Sequence, residues 1–255
     1  MRHHWVRFLA AGTPRFGTLE GERVREWHGD MFDYPVRGDR TLALSEVRLL
    51  TPVQPGKVLA LWNNFKALGA KLNLATPPEP LYLVKTPNSY LEPGGTIRHP
   101  GRELKVAFEG ELAIVIGRTC TKVAEDDAMD HVFGFTCVND VTAVDILHRD
   151  ASFAQWVRAK SFDTFCPFGP AVATGLDPAQ LRVRTLLNGE VRQDYPVSDM
   201  HFPVARLVSL ISQDMSLHPG DLILCGTSVG VGSMRPGSTV EVEIEGIGRL
   251  VNRFE

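Results

Sequence analysis

Glu109 and Glu111 flank a single glycine in the run Val106-Ala-Phe-Glu-Gly-Glu-Leu-Ala-Ile-Val-Ile-Gly117. Side chains alternate between the two faces of a strand, so residues two apart share a face. The even positions, Val106, Phe108, Gly110, Leu112, Ile114 and Ile116, form an apolar face, and the odd positions carry both carboxylates side by side. Two like charges so close on a half-buried strand cost free energy unless something positive lies between them. A divalent cation meets that need; so, at this point, does a solvated edge with two surface glutamates. Asp140, after the apolar stretch Phe133–Val138, adds a third oxygen donor, and by itself it serves equally well as a helix cap. Three carboxylates suit Mg²⁺, Mn²⁺ or Ca²⁺ rather than zinc or copper. On an octahedral ion they would leave about three positions for water or substrate, the mark of a catalytic centre.

Lys160 stands among Trp156, Phe162 and Phe165. Beside such a centre it would stabilise developing negative charge; away from one it is a surface lysine. The loop Gly226-Thr-Ser-Val-Gly-Val-Gly232 has neither GK[ST] nor GxGxxG spacing, so it is not a nucleotide loop. Its backbone N–H groups and the Thr227 hydroxyl suit a substrate carboxylate, or the loop is simply a turn between strands.

Several elements must position these residues. Short β segments at Trp5–Leu9, Phe16–Leu19 and Val24–Trp27, punctuated by Gly12 and Gly21, predict a small antiparallel N-terminal unit, and Asp30–Arg40 reads as polar and turn-rich. Thr51–Gly56 reads as the linker into the main domain. Strands are expected at Lys57–Trp62 and Leu81–Lys85, with a short helix over Asn64–Leu72 and a loop over Asn88–Thr96. A helix is expected over Val123–His131, its acidic start matching the helix dipole. Ala143–Trp156 is expected to be partly helical, and Lys160 to open a loop. Asn188-Gly189 is a strong hairpin turn between Arg182–Leu187 and Glu190–Gln193. Pro203–Asp214 gives the clearest helix, with Val204, Leu207, Val208 and Ile211 on one stripe. Strand Leu222–Cys225 and the hairpin Thr239–Glu245/Gly248–Asn252 close the chain. The fold class is α+β with β dominant, in two parts: residues 1–52 and 53–255.

The chain has 255 residues, 44% of them hydrophobic, enough for a substantial core. Its formal net charge of −3, with no basic block, argues against nucleic acid as a partner. No apolar run approaches a membrane span, and no export signal is apparent. Cys120, Cys137, Cys166 and Cys225 stand far apart without a CxxC pair, as expected of reduced thiols in a cytoplasmic protein.

The ordered set ExE at 109–111, Asn139-Asp140 followed by VTA, KSFD at 160–163, a Gly-Pro at 169–170, NGE-x-RQ at 188–193, PGD…GT at 219–227 and GIG-x-L-x-N at 246–252 resembles the fumarylacetoacetate hydrolase family. Within that family the chain is most similar to enzymes of homoprotocatechuate breakdown. The resemblance implies a mixed β-sandwich roll with a small N-terminal subdomain and, usually, a homodimer. It implies Mg²⁺ (or Mn²⁺) held by Glu109, Glu111 and Asp140, with Lys160 as the active-site lysine. It also implies a small-molecule 2-oxo dicarboxylic acid substrate contacted by Thr227, Gly226, Asn64 and Lys66. Many relatives carry N-Y-x-x-H-x-x-E where this chain reads Asn64-Phe-Lys-Ala-Leu-Gly-Ala-Lys71. Leu68 and Lys71 cannot activate water as that His/Glu pair would. The arginine frequent after VTA is Val144 here. These departures point toward isomerisation or decarboxylation, for which Lys160 or Lys66 would supply a proton. The alternatives are an acylpyruvate hydrolase or oxaloacetate-type decarboxylase, and a non-catalytic binder of metal and carboxylates.

Overall fold

The computed structural model describes residues 2–101 and 103–255. Four antiparallel strands open the chain: β1 (His4–Ala10), β2 (Thr13–Glu20), β3 (Arg23–Asp30) and β4 (Asp33–Ala43). The fourth corrects the expected turn-rich stretch. It is the sheet edge, bonded only to β3, so its polar residues stay in water while the backbone is satisfied on one side.

These strands join a large sheet with β5 (Val58–Trp62), β6 (Leu81–Lys85), β8 (Gly110–Ile116), β9 (Val132–Asn139), β11 (Cys166–Ala173) and β14 (Leu222–Leu224). The order is β4-β3-β2-β1-β11-β9-β8-β14-β5-β6. A second sheet joins β12 (Arg182–Leu187), β13 (Glu190–Pro196), β16 (Thr239–Ile244), β17 (Gly248–Phe254) and the short Thr96–Ile97. Asn188 (φ 53) and Gly189 (φ 81) both adopt positive φ in the β12–β13 turn, as the Asn-Gly pair predicts. A third, small sheet pairs β7 (Val106–Phe108) with β10 (Thr142–Ala143) and β15 (Gly232–Ser233).

Strand β8 lies at the centre and is buried along its whole length. Leu112, Ile114 and Ile116 pack with Val183, Tyr195, Val242 and Ile244 of the second sheet and with helix 204–214. Ala113 and Val115 pack the other way, against Val58, Phe168, Leu222 and Trp5. The expected half-solvated strand is thus covered on both faces, and it is not continuous. The run breaks at Glu109, where the chain passes from the small sheet into the large one.

The helices are short except the last. They are α1 (Lys66–Lys71), α2 (Val144–Leu147), α3 (Trp156–Lys160) and α4 (Val204–Asp214). In α4 Pro203 holds the N-cap and Val204, Leu207, Val208 and Ile211 are buried, matching the predicted stripe. The expected helix at 123–131 is a 3-10 helix, Glu125–His131, pinned to α4 because Ser209 and Gln213 donate to the Val123 carbonyl. The expected loop 88–96 contains the short strand Tyr90–Leu91, parallel to β11. No helix among the described residues is long and apolar enough to cross a membrane.

Candidate metal centre

The strand break brings the carboxylates together. Glu109, Glu111 and Asp140 each offer an oxygen within 4.8 Å of the others. Asp140 follows directly on β9, whose last residue Asn139 pairs with Gly110. The junction is tied by the Asp140 N–H donating to the Glu109 carbonyl (2.8 Å) and the Glu109 N–H to Asn139 Oδ1 (2.9 Å). The Thr142 hydroxyl donates to Glu109 Oε1 at 2.7 Å. Lys160 ends α3 rather than opening a loop, and it is buried. Its Nζ donates to Glu109 Oε2 (2.8 Å) and Asp140 Oδ2 (2.6 Å).

Lys85, the last residue of β6, occupies the other Asp140 oxygen, Oδ1, at 2.5 Å and is 0% exposed. Asp140 therefore lies between two ammonium groups. Burial alone would raise its pKa, but the Lys160 and Lys85 charges outweigh burial and hold it below the ordinary value. For Lys160 burial favours the neutral amine, yet Asp140, Glu109 and Glu111 together raise its pKa, so it stays an ammonium.

Glu111 is less compensated: the Lys160 charge lowers its pKa but does not outweigh burial. It is 0% exposed, and its Oε2 accepts only the Gly226 N–H at 2.9 Å. Oε1 is buried with no hydrogen-bond partner among the described residues. Burial, then the Asp140 charge, push its carboxyl well above the ordinary range. Three carboxylates against two ammonium groups leave a buried negative charge with one oxygen unclaimed. An all-oxygen donor set with an orphaned buried oxygen fits a hard divalent cation.

The residues expected to contact substrate lie in the segment before α1, at the start of α1 and in the glycine-rich loop. Asn64 is buried, and both ends of its amide are used: Nδ2 donates to the Cys225 carbonyl (2.9 Å) and Oδ1 accepts the Phe202 N–H (3.0 Å). It fastens the segment before α1 to Cys225, which leads into the glycine-rich loop, and to Phe202. Lys66 is exposed at the start of α1 and forms no ion pair among the described residues, because the first turn of that helix faces solvent. Gly226 (φ 89) turns its N–H inward to Glu111. The Thr227 hydroxyl donates to the Gly110 carbonyl at 3.1 Å and accepts from Gln193 at 2.8 Å, so it braces the ligand strand. Leu68 is half-buried and Lys71 exposed on α1, and Val144 is exposed.

Sequence reasoning missed Lys85, Gln193 and Tyr195. One signal for Lys85 was available: period 2 in β6 puts it on the face of Leu83, and both are buried. A lysine in register with a core leucine calls for an anion. Gln193 closes the NGE-x-RQ motif at 188–193, but nothing in its own strand says what its amide would hold.

Residues 57–255 match the family described as fumarylacetoacetate (FAA) hydrolase C-terminal, and residues 3–52 match Rv2993c-like, N-terminal. The crystal structure of 2-hydroxyhepta-2,4-diene-1,7-dioate isomerase from Mycobacterium marinum superimposes with a TM-score of 0.91 at 39% identity, covering 99% of this chain and 98% of that one. The 4-hydroxyphenylacetate degradation bifunctional isomerase/decarboxylase of Salmonella dublin is 35% identical over 96% of this chain, which spans 58% of that protein's length. The oxaloacetate tautomerase YisK of Bacillus subtilis is 35% identical over 85% of this chain and 76% of its own.

Proposed function

The chain belongs to the fumarylacetoacetate hydrolase family, and we propose that it is a divalent-metal-dependent isomerase and/or decarboxylase of unsaturated 2-oxo (2-hydroxy-dienoic) dicarboxylic acids. The observation that carries this reading is the orphaned, fully buried Glu111 Oε1 beside Glu109 and Asp140. With Mg²⁺ or Mn²⁺ there and all three carboxylates ionised against Lys85 and Lys160, the cluster carries a formal charge of +1, which suits an anionic substrate. The ion would supply Lewis-acid polarisation of the substrate's 2-oxo and carboxylate oxygens.

The chain's own residues divide the remaining work. Glu109, Glu111 and Asp140 hold the cation. Lys160 Nζ, kept protonated by three carboxylates, places a fixed positive charge where enolate charge develops on the substrate. Holding its proton firmly, it acts as a hydrogen-bond donor rather than as a base. Lys85 keeps Asp140 ionised and oriented from the far side. Moving a proton on an enolate gives isomerisation, and loss of CO₂ gives decarboxylation. Neither requires an activated water, consistent with Leu68 and Lys71 at the two α1 positions. The names of the Mycobacterium marinum and Salmonella relatives support this substrate class.

The Bacillus subtilis relative favours a second reading, oxaloacetate as substrate, which would pass through the same kind of enolate. The test is to incubate the Mg²⁺-loaded protein separately with 5-oxopent-3-ene-1,2,5-tricarboxylate, oxaloacetate and an acylpyruvate. Absorbance and CO₂ are then followed. A metal-dependent change with the tricarboxylate is expected. Faster tautomerisation or decarboxylation of oxaloacetate alone selects the second reading. Cleavage of the acylpyruvate overturns both in favour of a hydrolase.

A further inference from the structure

The two glutamates are joined through a single residue, Gly110, whose N–H and carbonyl belong to the two peptide units between them and are both held by side chains. Gly110 must be glycine, because a Cβ there would lie 1.9 Å from Thr185 Oγ1 of the second sheet. Glycine is also the residue with the softest φ and ψ. A rotation at Gly110 swings Glu109 and Glu111 relative to one another, so the spacing of the donor pair depends on what holds this backbone.

Three side chains grip it. Gln193 Oε1 accepts the Gly110 N–H at 3.0 Å. The Tyr195 hydroxyl donates to the Gly110 carbonyl at 2.6 Å, and the Thr227 hydroxyl donates to the same oxygen at 3.1 Å. Gln193 is 1% exposed and its amide is fully used, since Nε2 donates to Thr227 Oγ1 (2.8 Å) and to the Ser228 carbonyl (3.1 Å). One amide thus ties together the ligand strand, the second sheet and the glycine-rich loop whose Gly226 N–H holds Glu111. A glutamine is the side chain that can accept one backbone N–H while donating to two oxygens.

We propose that Gln193, seconded by Tyr195, is a positioning residue of the metal centre: it fixes the Gly110 peptide and so sets the angle between the Glu109 and Glu111 carboxylates. The inference rests on the reading of those carboxylates as metal ligands. It goes beyond that reading by assigning the centre's geometry to the second sheet, which contributes no ligand.

Mn²⁺ is the probe. Its affinity is measured by electron paramagnetic resonance titration, and the spectrum of the bound ion reports the symmetry of its donors. Gln193→Met removes the amide with little change of shape, and Tyr195→Phe removes only the hydroxyl. Loss of a group that orients ligands typically costs about 10–100-fold in metal affinity. Gln193→Met is expected to fall in that range with an altered Mn²⁺ spectrum, and Tyr195→Phe to show a smaller shift of the same kind. Val183→Ala, a core truncation in the same sheet, serves as control; it should lower the melting temperature and leave Mn²⁺ binding unmoved. If Gln193→Met fails to fold, Tyr195→Phe decides. Wild-type affinity and spectrum in the folded variants would overturn the inference and leave the metal centre standing. If the wild-type protein takes up no Mn²⁺, the metal centre falls and the inference with it.

Discussion

Two glutamates in this molecule are buried in β-structure, and they are buried for different reasons. Glu26, in the N-terminal strands, is 2% exposed. It is paired with Arg15, and Arg40 lies 3.8 Å away, both arginines partly in solvent. Glu111 is 0% exposed and faces two other carboxylates; one oxygen accepts a backbone N–H, and the other, like Glu26 Oε2, has no hydrogen-bond partner among the described residues. The first carboxylate has its countercharge supplied by the chain and serves as an anchor between strands. The second has carboxylates as its nearest charged company and carries the proposed cation site. Burial of an acid is therefore not by itself a sign of function; the sign of the charges around it is.

The sharpest way to break this contrast is Glu111→Gln. It should lower Mg²⁺ or Mn²⁺ affinity by at least about 100-fold, more than loss of an orienting group, and abolish turnover. Calorimetric titration and the substrate assays read both effects, and unchanged metal affinity would remove Glu111 from the centre. Lys85→Met comes next. It strips Asp140 Oδ1 of its partner inside the core and should destabilise the fold by roughly 3–5 kcal/mol, read by denaturant unfolding. A negligible loss would mean that Lys160 alone sustains Asp140.

The pH response separates the two regions further. The Glu111 pKa in the metal-free fold is raised above its ordinary 4.5, so the native state holds a proton that the unfolded chain has released. Stability of the metal-free protein should then fall as pH rises above about 4.5 toward the raised value. Asp140 acts in the opposite sense and in a separate window: its lowered pKa adds stability above 3.8 that is lost only on acidification below it. Added Mg²⁺ should flatten the first slope, because the ion balances the charge that ionisation creates. Thermal melts from pH 5 to 8, with and without the ion, measure this; identical slopes would contradict it. The smallest effect is expected at the other carboxylate. Glu26→Gln should cost no more than about 1 kcal/mol, since its arginines can turn to water, and should leave metal affinity untouched.

Some features were readable because they are local: the Asn188-Gly189 turn and the apolar stripe of 204–211 each follow from neighbouring residues. Spacing alone placed Glu109 and Glu111 on a common side, and the tertiary structure brings Asp140 to them. The edge strand 33–43 was not legible, because an edge tolerates a polar sequence that a buried strand would not.

What the sequence by itself determined is thus the candidate donor set: three carboxylates of the kind a hard cation takes, two of them two residues apart. What only the tertiary structure decided is their electrostatic company. Lys85 reaches Asp140 across 55 residues, Lys160 reaches Glu109 across 51, and Gln193 reaches Gly110 across 83. No local pattern encodes such pairs. Whether a lysine is a solvated surface group or a buried counter-ion depends on which strand closes over it, and that is settled by the long-range packing of the sheets.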